Sequence, residues 1–465
     1  MYQGITKIEL TDVKTHDKEV VEERNLVTQA IPDLLGLNPS AMLYNLEGPR
    51  ALWSNHIFPI AGKALGGLLC FEKRLEENSQ NYIAPSDNLI TAYASNNVNS
   101  TDNLKRGSLN LVESKALKNG YHFVWDFTTS QGNGRIAALS LTHYLAGLGF
   151  YGDIYDGEHA NLLMARTNAK QTEISVVNYY TGLVEIDPIH NTGIAILVKS
   201  EDQLNIATVR IPFTQIGIKD AFDAVPMQLV QERTVNIQGF FKNVRSRNNY
   251  SFHDGQDGYW YGFTSESDSR KNKTIFNQVK IDKKSLAVTV DHWELPDVLL
   301  NVTGTLYTST SGLNSRRIFS VLKPPYLYAF RQDRQAIIKI NVNNPVDVSL
   351  IESPFPLKYG TGKQTDNYFY AWGDYLKGEN FILDSQDRLT QTKENLLQDI
   401  ATPVFAIGPY RLGYSTYTHY SNVYFNHTVY LHTPYLGTIN NLATPVVKTA
   451  DKTMKITYTL TEMEE

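Results

Sequence analysis

The chain has 465 residues, 28 tyrosines, 6 methionines and one cysteine, Cys70, and carries a net charge of −5. That length exceeds one ordinary hydrophobic core and predicts two or three domains. The mild negative charge argues against a nucleic-acid partner, which needs clustered Lys and Arg, and one cysteine excludes an intrachain disulfide or a cysteine-rich metal site. From the N-terminus, "MYQGITKIELTD" lacks a basic segment followed by an apolar core, so no signal peptide is expected, and the lone cysteine fits cytosolic folding. Glu22 to Leu35 reads as a short amphipathic helix that Pro32 would interrupt. The apolar run from Ile60 to Phe71 is broken by Lys63 and is shorter than the roughly 20 residues that span a bilayer, so no membrane insertion is expected.

The stretch "NGYHFVWDFTTSQGNG", Asn119 to Gly134, places Tyr121, Phe123, Trp125 and Phe127 on one face at period two. Gly132, Asn133 and Gly134 suit a tight turn, and Ile136 to Leu141 reads as the returning arm of a hairpin. Gly132, Gly134 and Ala137, with Asp153 downstream, match a dinucleotide fingerprint in spacing. The amphipathic helix that such a loop requires is missing, so the hairpin is the preferred reading.

Further on, "YGDIYDGEHAN" supplies Asp153, Asp156, Glu158 and His159. A carboxylate pair there is a candidate for glycoside cleavage, although Asp-Gly is commonly just a turn. Thr192 to Pro212 has the strand, polar turn, strand form. "HDGQDG" at His253 lacks the ligand pattern of an EF-hand loop and reads as a turn, so no metal site is assigned. Three aromatic runs follow: "DGYWYGFTSE" at Asp257, "PPYLYAFRQD" at Pro324 and "DNYFYAWGDY" at Asp366. Each continues into a second apolar run after a polar gap, and "TGTLYTSTSG" with "RRIFSVLKP" makes a further strand pair. Ser200-x-Asp202 and Ser385-x-Asp387 faintly match the Asp-box turns of sialidase-type propellers, a structural feature. Lys393 to Ile400 reads as a second short helix. Thr444 onwards reads as a turn and a closing strand with Met454, Ile456, Tyr458 and Leu460 on one face.

Helix signals are few and turn residues recur every eight to twelve or so residues, so the chain is expected to be all-β. The repeated aromatic strands of the middle fit a β-propeller, with an array of β-sandwiches as the alternative. Tyr259, Trp260, Tyr261, Tyr326, Tyr328, Tyr368, Tyr370 and Trp372 are the candidate sugar-stacking residues, set against a role in the sheet cores. No catalytic motif of the G-x-S-x-G, H-E-x-x-H or Walker type is present, and no cofactor is expected.

"NGYHFVWDFTTSQGNGRIAALSLT" resembles a segment of virion tail proteins from phages of Gram-positive bacteria, through Tyr121, Asp126, Phe127, Thr129, Ser130, Gln131, Asn133, Gly134, Ile136, Leu139, Leu141 and Thr142. "ALGGLLCFEKRLEENSQNYIAP" from Ala64, "RGSLNLVES" from Arg106 and "INNLATPVVKTADKTMKITYTLTE" near the end are similar to the same family. The departures are Gly132, where Ala is expected, and Cys70 within an apolar run. The resemblance covers roughly the first 150 residues and the last 30. It implies that 1–150 plus 425–465 form a β-sandwich that anchors to the virion; the resemblance does not cover the middle, and 151–424 reads from its aromatic strands as an inserted β-propeller-like domain of an all-β protein. The resemblance further implies a non-enzymatic host-adhesion protein of the phage tail, a homo-oligomer assembled in the host bacterial cytoplasm. Its partners would be other phage tail proteins and host cell-surface carbohydrate. A glycan depolymerase and a purely architectural tail, collar or head-surface protein remain the alternatives.

Overall fold

A computed structural model describes residues 2–36, 64–80, 88–95, 103–144, 161–170, 179, 182–187, 190, 192–210, 228–245, 249–302, 307–308, 314–315, 320–358, 369–378, 380–391, 402–419, 422–432 and 435–463. The N-terminal part supplies β1 (Tyr2–Asp12), β2 (Lys18–Val27), a short helix α1 (Ala30–Gly36), β3 (Gly67–Phe71) and β4 (Ile90–Ser95). It continues with β5 (Arg106–Leu109), β6 (Lys115–Leu117), β7 (Gly120–Phe127) and β8 (Gly134–Thr142). After β9 (Asn161–Lys170), a first sheet contains β10 (Leu183–Asp187), β11 (Thr192–Ser200), β12 (Gln203–Arg210) and β13 (Gln228–Asn236). A second contains β14 (Tyr250–Asp254), β15 (Tyr259–Asp268), β16 (Lys273–Asp282) and β17 (Val288–Pro296).

β18 (Leu300–Asn301) opens the third sheet; β19 (Tyr307–Thr308) and β20 (Asn314–Ser315) then pair only with each other. The third sheet goes on with β21 (Ser320–Lys323), β22 (Tyr326–Arg331), β23 (Ala336–Asn341) and β24 (Val348–Glu352). The fourth holds β25 (Tyr370–Trp372), β26 (Tyr375–Lys377), β27 (Phe381–Leu383) and β28 (Leu389–Gln391). The fifth combines β29 (Thr402–Ile407), β30 (Tyr410–His419) and β31 (Asn422–His432) with β9, and β32 (Thr438–Lys448) and β33 (Lys452–Glu462) follow.

The all-β expectation holds, and the two ends of the chain do join. They form a closed barrel rather than a two-sheet sandwich. Nine strands run in the order β33-β1-β2-β32-β8-β3-β4-β5-β7, and β7 pairs back onto β33. A ring with an odd number of strands cannot alternate direction throughout. The β4–β5 pair absorbs the mismatch by running parallel. Closure removes the free edges that a sandwich would leave.

The alternation read in the sequence explains the interior. Ile8 and Leu10 of β1 face inward with Phe123, Trp125 and Phe127 of β7 and Met454, Ile456, Tyr458 and Leu460 of β33. The Trp125 indole N–H donates to the Gly66 carbonyl at 3.1 Å. The opposite face of β3, β4, β8 and β32 is covered as well, with Leu69, Phe71, Tyr93 and Ile439 packed around Leu75.

β7 and β8 form as expected, and Gly132 and Gly134 take positive φ of 66° and 137°. They are not a hairpin. β7 pairs with β33, β5 and β6, whereas β8 pairs with β3 and β32. Gly132 N–H donates to the Leu104 carbonyl at 2.7 Å, which fastens the link between them to another part of the barrel. The helix expected over Glu22–Leu35 is half right: β2 extends to Val27, and α1 then includes Pro32 in its first turn. The helix read at Lys393–Ile400 lies outside the described residues.

The middle sheets are antiparallel meanders, and consecutive sheets pack face to face. Alternate residues of one strand enter different cores. On β15, Trp260 joins Ile196 and Leu204 of the first sheet, while Tyr261 and Phe263 join Leu327 and Ile338 of the third. On β22, Leu327 faces the second sheet, and Tyr328 and Phe330 face Leu376 and Phe381 of the fourth and Phe369 just before it. The leading strands touch in a ring: β10 with β14, β14 with β21, β21 with β25, β25 with β29, and β29 with β10. The chain leaves the barrel after β8 and returns beside its point of departure, where Gly437 N–H donates to the Leu141 carbonyl at 2.7 Å. β31 belongs to the fifth sheet and β32 to the barrel, so the chain re-enters the barrel between these two strands.

Candidate functional site: tyrosine–lysine ladders between the sheets

Each aromatic strand has a lysine directly across the ladder. Tyr261 is level with Lys280, Tyr328 with Lys339, and Tyr370 with Lys377. The Lys280 ammonium lies 4.0 Å from the Tyr259 ring centroid and 5.3 Å from that of Tyr261. Lys339 repeats the arrangement at 4.3 Å from Tyr326 and 5.7 Å from Tyr328. An ammonium over a ring face is attracted by the ring quadrupole, so the lysine holds the rings upright and adds a hydrogen-bond donor beside them.

Carboxylates surround these ladders. Lys339 pairs with Asp387 of the fourth sheet at 2.6 Å. Desolvation is the largest single influence on Lys339 and lowers its pKa, but the hydrogen bond and charge of Asp387 together with Tyr328 outweigh it, and the pKa rises. At the second sheet, Glu185 of β10 accepts from the Trp260 indole at 3.1 Å and from Lys283 at 2.7 Å. Lys283 also reaches Asp254 at 2.8 Å. Burial alone would lower the Lys283 pKa, but its two carboxylates raise it. The Tyr261 hydroxyl donates to Asp257 at 2.7 Å, and desolvation with this acceptor drives its pKa up.

The candidate residues thus fall into distinct environments. Trp260, Tyr261 and Tyr328 are buried and pack in the sheet cores. Tyr259, Tyr326 and Tyr370 keep part of their surface exposed. Tyr368 lies outside the described residues, and Trp372 stands on β25 level with Tyr375. They do not converge on one pocket: Tyr259 flanks the core between the second and third sheets, Tyr326 that between the third and fourth, and Tyr370 the core shared with the barrel. Lys280, Lys339, Lys377, Glu185 and Asp254 were missed in the sequence. The signal for the three lysines is a lone lysine inside an apolar run, in "NQVKID", "IIKIN" and "YLK".

Asp153, Asp156, Glu158 and His159 lie outside the described residues. His253 does not join a metal cluster; its Nε2 lies 3.2 Å from the Ser320 hydroxyl, which in turn meets Ser251 at 2.9 Å. Among the described residues no group of three or more His, Cys, Asp or Glu is placed to hold a metal ion, and no helix is long and apolar enough to cross a membrane. Both Ser-x-Asp segments lie at hairpin turns, β11–β12 and β27–β28.

No protein-family model and no curated protein matches the chain. Among solved structures, apo AztD from Citrobacter koseri is similar at 11% identity over 61% of this chain and 87% of that one, with a TM-score of 0.21. The core factor of S. cerevisiae gives 9% identity over 65% of this chain and 62% of that one, with a TM-score of 0.20. The WD40 domain of SCAP from fission yeast gives 8% over 72% and 89%, with a TM-score of 0.14. Superpositions this loose carry no argument about fold or activity.

Proposed function

We propose that the chain is a structural protein of a phage tail in which the barrel anchors to the virion and the inserted sheets, arranged as a five-bladed propeller, adhere to host cell-wall carbohydrate. The ring of touching leading strands supports the propeller, as does the completion of the fifth sheet by β9. The observation that carries the adhesive reading is a part-exposed tyrosine beside a lysine of the facing strand: Lys280 over Tyr259, Lys339 over Tyr326, and Lys377 level with Tyr370. A tyrosine face stacks on the apolar face of a sugar, and an adjacent ammonium or carboxylate bonds its hydroxyls. Such shallow sites are weak singly, and repetition around a homo-oligomer multiplies them. The partners on the other side would be further tail proteins, and the location the virion.

The test is retention of the purified protein on cell walls of Gram-positive hosts, with sugar release assayed in the same tubes. Retention without release is expected, with loss of retention in Tyr259→Ala combined with Tyr326→Ala. Released reducing ends would replace adhesion with depolymerisation. Failure of an oligomeric preparation to bind any wall would leave an architectural role.

A further inference from the structure

One row of the barrel wall is polar on its inner side. Register sets Asn25 opposite Gly4 and Tyr458 opposite Thr6. On its other edge β2 pairs with β32 at just two positions, Leu26 with Ile439 and Val27 with Thr438. One step further in the same register, Asn25 comes level with Asn440. Beyond that step the ladder stops: β32 shifts register against β8 between Asn441 and Val446, and the Glu23 carboxylate accepts the Ala443 N–H at 3.2 Å. Side chains, not backbone pairs, therefore face one another along this seam.

Asn440 is 0% exposed and Tyr458 1%. Neither amide atom of Asn440 has a hydrogen-bond partner, nor does the Tyr458 hydroxyl or the Asn25 Oδ1. Asn25 Nδ2 donates to the Thr6 hydroxyl at 2.8 Å and keeps a second N–H, and the Thr438 hydroxyl accepts the Leu141 N–H at 3.0 Å and keeps its own O–H. The Tyr458 hydroxyl lies beside Asn25 and Thr438, close enough for both to favour its ionised form, while burial pushes its pKa up. It fills the space that a Cβ at residue 4 would need, so Gly4 permits its position. Buried polar groups are normally paired, and a patch with this many unpaired atoms calls for a further partner. The atoms include donors and acceptors and carry no charge. Water matches that set, because it gives and takes hydrogen bonds and occupies polar interior sites.

We propose that the seam between β2 and β32 is a hydration site, in which ordered water is held by Asn440, Asn25 and the Tyr458 hydroxyl. The water stands in for the missing ladder and completes the barrel wall there.

The test is a crystal structure of the full chain at a resolution where ordered solvent is visible, together with melting curves of Asn440→Leu and Tyr458→Phe. Solvent density bonded to Asn440 and Tyr458 is expected, with a lowered melting temperature in Asn440→Leu. Leu has nearly the same volume but strands the water. A dry seam in the crystal overturns the proposal whatever the variants do, including a variant that fails to fold. A higher melting temperature in Asn440→Leu also overturns it, because removing an unpaired polar group from a dry site stabilises.

Discussion

Lys448 is 1% exposed, and its ammonium donates to the Thr129 carbonyl at 3.1 Å and the Asn133 side chain at 2.7 Å. Burial pushes its pKa down to about 8 from the ordinary 10.5. Between those values the unfolded chain binds the proton that the folded chain releases. Stability from this group therefore rises with pH across that window. Lys448→Met should remove the rise, so that wild type gains on the variant between about pH 8 and pH 10 in melting temperature. Parallel curves would mean that the ammonium is solvated. His253 gives the opposite limb. Part of its surface is exposed, yet desolvation lowers its pKa. Below about pH 6.5 the unfolded chain takes up a proton that the folded chain refuses, so stability falls with acid. His253→Gln should flatten that fall in acid melting curves. Neither environment was legible in the sequence, where Lys448 sits in an ordinary polar turn and His253 in an Asp-Gly loop. Burial of a single charged residue depends on which distant segment covers it.

Strand identity was readable because side-chain alternation is local; strand pairing was not. The aromatic face of β7 and the apolar face of β33 were both legible, but that they lie side by side, Trp125 level with Ile456, depends on closure of the barrel. Gly120 marks that closure. A Cβ there would run into the Leu460 backbone carbonyl, which has no freedom to move away. Gly120→Ala should cost about 1–3 kcal/mol in urea unfolding, as overpacking does, with the β7–β33 amides losing protection first in hydrogen exchange. The aromatic strands of the middle show the same limit. Period two announced them, but which ring of Tyr259, Trp260 and Tyr261 is buried depends on the sheet opposite. Trp260→Ala should lower stability by about 3–5 kcal/mol, because the ring fills the core between the first two sheets and its N–H bonds Glu185. Tyr259→Ala should change stability little and reduce wall retention, which separates core from surface.

Across the whole molecule, strands from both chain ends close one barrel, whose strand count and register are invisible to periodicity. The chain leaves and re-enters the barrel at neighbouring points, Leu141 and Gly437. The part between them is not a loose appendage. The barrel core extends into Leu183, Ala207 and Ile382 of the middle sheets, and the Tyr410 hydroxyl donates to the Leu34 carbonyl of α1 at 3.2 Å. Replacing 145–434 by a short Gly-Ser linker should leave a barrel that gives β-type circular dichroism and melts cooperatively. Its melting temperature should fall below that of the full chain, because this shared apolar surface becomes exposed. A chain without a cooperative transition would show that the barrel needs the inserted part to fold.

The place of β33 also sets a timetable for synthesis. β1 emerges from the ribosome long before the strand that covers its β33-side edge, with Tyr2 level with Glu462 and Asp12 with Lys452. The inserted sheets wait in a nested way, since β9 meets β31 only after the intervening sheets have been translated. Folding thus finishes from the inside outward, with the middle sealed before the barrel. Until then the nascent chain carries an uncovered β1 edge of alternating apolar residues, open to other chains emerging on the same polysome.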